Sequence, residues 1–140
     1  MSETMRRPTP THGSPPSADD IADLAERALA GLPPAMARHV RGVGILVDEM
    51  PDDELLAEMG IATPWELTGL YRGVPLPLQS HEDIARAPAL IHLFRQPILL
   101  EWIETDEDLF RLVRSVLIHE IAHHFGFSDD DIAAIEGDPD

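Results

Sequence analysis

The chain has 140 residues, a formal charge of −16 and no cysteine. That length fits one modest domain with a real hydrophobic core, and the missing thiols exclude both a disulfide framework and a thiolate metal site. So large an acidic excess argues against binding nucleic acid or docking on an anionic membrane, because both need a basic surface.

Met1 to Ser17 is rich in Pro, Ser and Thr and lacks apolar periodicity, so residues 1–17 are expected to form a disordered tail. Arg6-Arg7 is not followed by the apolar run of a secretory signal, and no stretch approaches the length of a membrane span; a cytoplasmic location is the expectation. Residues 18–140 then read as one domain. Ser17 or Asp19 can cap a helix carrying Ile21, Leu24, Ala25, Ala28 and Leu29 at helical spacing, and Gly31 with Pro33-Pro34 stops it.

Val43 to Val47 is a short β-branched run and reads as a strand. The acidic segment Asp48 to Glu54 reads as a solvated loop, with no Gly where a calcium loop would need one. Trp65 to Leu76 reads as a strand, a turn near Gly73 and a partner run, and residues 79–88 as a loop. Ala89 to Arg95 reads as another strand, with Leu90, His92 and Phe94 on one face and Ile91, Leu93 and Arg95 on the other. Pro97 to Trp102 is expected to start a short helix after the strand, with a continuation of the strand as the alternative.

Thr105-Asp106-Glu107-Asp108 has the composition of a helix start, with Thr105 as cap. The helix that follows places Leu109, Leu112, Val113, Val116 and Leu117 on one broad face, with Arg111, Arg114 and Ser115 toward solvent. From Ile118 onward it is apolar nearly all round, apart from His119-Glu120-Ile121-Ala122-His123-His124-Phe125-Gly126-Phe127-Ser128-Asp129. Residues four apart on a helix share a face, so His119 and His123 can aim ring nitrogens at one ion. Glu120 is rotated by roughly a hundred degrees from His119, beside such an ion without being forced to ligate it. Gly126 can adopt the left-handed conformation that ends a helix, letting the chain turn back and present Asp129 as a third ligand. A final helix, roughly Asp130 to Glu136, would turn Ile132, Ala133 and Ile135 inward.

The bland alternative is a buried helix with incidental histidines, a Gly cap, and Ser128 or Asp129 capping the last helix. It would leave two His and one Glu buried without partners, at a cost of several kcal/mol. Should Asp129 not be the third ligand, Glu136 or Asp130 would be next. His124 points off the ligand face, His92 suits a packing role, and His12, His39 and His81 read as tail, loop or surface residues.

Three blocks carry a resemblance: Gly69-Leu70-Tyr71-Arg72-Gly73-Val74-Pro75-Leu76, Ile91 to Ile98 and Val116 to Gly126. Together they resemble the minimal zincin-like metallopeptidases found in bacteria, over about residues 18 to 137. The resemblance implies an α+β zincin-like fold, a small mixed sheet with the motif helix packed across it and flanking N- and C-terminal helices. It implies Zn²⁺ held by His119, His123 and Asp129, with Glu120 as general base for hydrolysis of a peptide or protein substrate. No Met follows Asp129, so the Met-turn of the metzincins is absent. Tyr71 and Arg95 are candidate oxyanion donors, and strand 89–95 is the candidate for holding an extended peptide by strand addition. The competing expectation is a metal-holding domain with little or no turnover, acting as a binding or structural module.

Overall fold

The computed structural model describes residues 14–72 and 89–137. The expected turn near Gly73, its partner run, the 79–88 loop, His81, and the tail through Gly13 with His12 lie outside them. The fold is α+β. Among the described residues there are six α-helices and a mixed three-stranded sheet: α1 (Ala18–Ala30), α2 (Pro34–Ala37), β1 (Gly44–Asp48), α3 (Asp53–Met59), β2 (Gly69–Arg72), β3 (Leu90–Phe94), α4 (Arg95–Thr105), α5 (Leu109–Phe125) and α6 (Asp129–Glu136). Among the described residues no helix is long and apolar enough to cross a membrane.

The strand order is β1-β3-β2, with β1 parallel to β3 and β2 antiparallel to it. Period-two alternation divides the sheet cleanly. Ile91 and Leu93 are fully buried in the main core, with Ile45, Val47 and Tyr71 packed against it. Phe94 turns the other way, into a smaller cluster with Leu55, Leu56 and Leu67, joined by Leu70. The main core is built mostly from α1 and α5, which supply Ile21, Ala25, Ala28, Leu112, Val113, Val116, Leu117, Ile118, Ile121 and Ala122.

Helix α5 can lie close on β2 because residue 69 has no side chain. A Cβ at Gly69 would stand 2.7 Å from Val116 Cγ1 and 3.0 Å from a Leu93 methyl. The glycine therefore sets how near the edge strand comes to the helix that carries the motif.

Several expectations are corrected in detail. Helix α5 is capped by Asp108, whose carboxylate accepts from Arg111 N–H at 3.0 Å. Thr105 instead ends α4, its hydroxyl donating to Glu101 O at 2.8 Å, and Asp106 is left-handed at φ 57°. Two helices thus meet at one three-residue break, and the short acidic side chains tolerate its conformations. Helix α4 also begins earlier than expected, at Arg95, with no loop after β3. Trp65 lies in a 3₁₀ turn, Pro64–Glu66, and strand β2 starts only at Gly69. The acidic segment after β1 is not merely solvated. Asp48 pairs with His92, Glu49 with Arg95 and Gln96, and Asp52 caps α3, a helix the sequence reading had no expectation for.

Candidate metal centre

Helix α5 delivers His119, Glu120 and His123 from its C-terminal half, and Gly126 ends it at φ 78°, as its position led one to expect. The helix is anchored by buried Ile118, Ile121 and Ala122, which interleave with the polar residues. Burial thus holds the backbone, while the imidazoles stay reachable: the His119 side chain is 43% exposed and His123 is exposed.

The ring of His119 is fixed by its own helix. Its Nδ1 lies 2.8 Å from Ser115 O, one turn back, and 3.4 Å from Ser115 Oγ. A peptide carbonyl only accepts hydrogen bonds, so Nδ1 carries the proton. The lone pair is then on Nε2, the form in which a neutral imidazole ligates a metal.

Glu120 lies between the helix and the edge strand. Burial pushes its carboxyl above the ordinary carboxylate range, opposed by the nearby His123 and His119 and by a hydrogen bond from the Tyr71 backbone N–H. One carboxylate thus feels both imidazoles and touches β2. Tyr71 also stacks on His124, with ring centroids 4.2 Å apart, and meets Phe125 edge-on at 5.4 Å. His39 adds to this aromatic rim, 4.8 Å from Phe125 and 5.6 Å from Phe127.

A family model described as zincin-like metallopeptidase matches residues 40–138. The chain belongs to that family. No curated protein matches it. Helix α1 precedes the matched span, yet Ile21, Ala25 and Ala28 are at most 1% exposed in the same core that supports the zincin motif helix.

The donors of this zincin-like domain suit zinc in kind, two imidazoles with carboxylates at hand and no thiolate. They are not all gathered. Asp129 is an exposed residue in the first turn of α6, whose cap is Ser128 in a reciprocal arrangement with Asp131. Among the described residues no group of three or more His, Asp or Glu side chains converges to hold an ion. Of the expected set, His119, Glu120 and His123 are carried by α5 and Asp129 by α6, and the charge of Glu120 is felt against both imidazoles.

Two further expectations change. Strand β3 is the middle strand, with both sides paired, so it has no free backbone edge for a peptide. Alternating hydrophobicity shows which residues face a core but not which strands flank which, and so it could not separate a central strand from an edge. Arg95, a candidate oxyanion donor, is committed to Pro16 O and the Glu49 carboxylate, both at 2.8 Å. Tyr71 is the candidate that lies at the site. Ser115, whose carbonyl accepts from His119 Nδ1, and Glu136, with a carboxylate oxygen 3.7 Å from the same nitrogen, are the neighbours the sequence reading missed at His119; only the i−4 relation of Ser115 to His119 could have signalled one of them.

A cavity of about 1030 Å³ opens beside α1 and α5, lined by Arg27, Phe110, Arg111, Arg114, Ser115 and Glu136 among others. None of its lining residues is Glu120, His123 or Tyr71. Ser115 and Glu136, the two groups nearest His119 Nδ1, both line it.

Proposed function

We propose that the protein is a zinc-dependent peptidase in which His119, His123 and Asp129 hold the ion and Glu120 is the general base. The observation that carries this reading is the arrangement on α5: an imidazole whose tautomer leaves Nε2 bare, its partner one turn on, and a carboxylate between them and a strand edge. When bound, zinc supplies Lewis-acid polarisation of water and of the scissile carbonyl. Glu120 accepts the proton of the attacking water through a carboxylate oxygen and returns it to the departing amine nitrogen, so the two steps leave it unchanged. Its partial burial favours the protonated form, which suits a group that must take up a proton, and the Tyr71 backbone N–H lies beside it. Tyr71, whose hydroxyl burial keeps protonated, is the available donor for a developing oxyanion.

The substrate is a peptide in extended form. Among the described residues β2 is paired on one side only, and that strand, rather than β3, is where an added strand would pass Glu120. The test is Glu120→Gln. It should retain zinc at wild-type stoichiometry while cleavage of an unstructured peptide library falls by about 10²- to 10⁴-fold, the usual contribution of a general base. Zinc-loaded wild-type protein that cleaves nothing in the library would defeat the peptidase reading and leave a metal-holding module.

A further inference from the structure

We propose that Glu136, the last residue of α6, is a positioning residue for the metal centre, holding His119 from its Nδ1 side. The inference rests on the reading of His119 as a ligand. A carboxylate oxygen of Glu136 stands 3.7 Å from His119 Nδ1. That nitrogen already donates to Ser115 O, so Glu136 lies behind the ring with respect to the bare Nε2. It therefore backs the imidazole and does not join it around an ion. A carboxylate behind a ligating histidine fixes the ring and raises the basicity of the ligating nitrogen, because negative charge near Nδ1–H favours donation of the Nε2 lone pair.

The chain is built to deliver it. Gly126 turns the backbone out of α5, and the Ser128–Asp131 capping box sets the direction of α6. Ile132 is buried in the main core, and Arg114 reaches Ile135 O at 3.5 Å, docking the end of α6 against α5. One turn separates Ile132 from Glu136, so anchoring the first places the second. Helix stability does not account for the residue. A negative side chain in the last turn opposes the helix dipole, and α6 has no basic residue there. The only described cationic or imidazole partner within ion-pair reach of Glu136 is His119.

The experiment is a zinc titration of the full chain against a chromophoric chelator, for wild type, Glu136→Ala, Glu136→Gln and Glu136→Asp, with melting of each metal-free protein. Wild type should bind one zinc. Glu136→Ala and Glu136→Gln should bind one zinc roughly 10- to 100-fold more weakly, the usual cost of losing such a partner. Glu136→Asp should recover part of the loss, and the metal-free melting temperatures should coincide. Wild type that binds no zinc would overturn the metal site itself, and this inference with it. Wild-type affinity in Glu136→Gln would overturn the positioning role alone. So would complete loss of stoichiometric binding, which would make Glu136 a ligand, or a fall in metal-free melting temperature that matches the affinity loss.

Discussion

Strand β3 and helix α5 each carry a histidine held beside a carboxylate, and their difference separates a structural imidazole from one proposed to bind an ion. On the α3 side, His92 is buried and its Nε2 lies 2.7 Å from Asp48 Oδ2, while Nδ1 is buried with no partner. On the α5 side, His119 is tied down through Nδ1, and its spare nitrogen belongs to a ring that is nearly half exposed. Both are restrained. Only one has a lone pair that something from outside can reach. What distinguishes them is therefore whether the nitrogen the fold leaves unpaired is buried or within reach of solvent.

Exchanging the two losses is the strongest way to break that comparison. His119→Ala should weaken zinc binding by more than the roughly hundredfold that loss of an outer partner can cost, with only a small change in metal-free stability. His92→Ala should do the reverse. It should leave zinc affinity at the wild-type value and cost about 2 kcal/mol of stability, from the lost packing against Phe94 and the lost bond to Asp48. Denaturant melts and zinc titrations on the same two proteins check both halves. Equal effects of the two substitutions on zinc would dissolve the distinction.

The next effect concerns the third ligand. Asp129→Ala should lower zinc affinity at least tenfold, and Asp130→Ala should not; equal affinities for Asp129→Ala and wild type would move the third ligand elsewhere. The smallest effect is on stability and has a pH signature. Because burial raises the folded-state pKa of Glu120 above the ordinary 4.5, the folded protein keeps that proton longer than the unfolded chain. The stabilising contribution is fully present below the unfolded value and is lost as pH rises through the folded one. Metal-free Glu120→Gln should therefore melt above metal-free wild type at neutral pH, with the gap closing as pH falls to about 4. A gap that widens toward acid would mean the carboxylate is stabilised in its charged form.

Much of the fold could be read along the chain. The apolar stripes of α1 and α5, the alternation of β3 and the left-handed Gly126 are local consequences of residue order, and each falls where those patterns put it. What could not be read were relations across the chain. Thr105 and Asp108 both look like caps, and which one starts α5 is settled by how far α4 runs before it. The pairing of β1 with β3 and β2 with β3 arises from contacts made over long separations, so the edge position of β2 was hidden. The centre divides the same way. His119 and His123 share one helix face by spacing alone, with Glu120 rotated beside them, whereas the approach of Glu136 depends on a turn, a cap and a buried Ile132 on another helix.

The central claim is that the Nε2 of His119 and the imidazole of His123 hold one zinc ion beside Glu120. X-ray absorption at the zinc edge, on protein loaded with one equivalent, tests it most directly. The account predicts two imidazole nitrogens at about 2.0 Å with oxygen completing a four-coordinate shell. A shell containing one imidazole or none would contradict it.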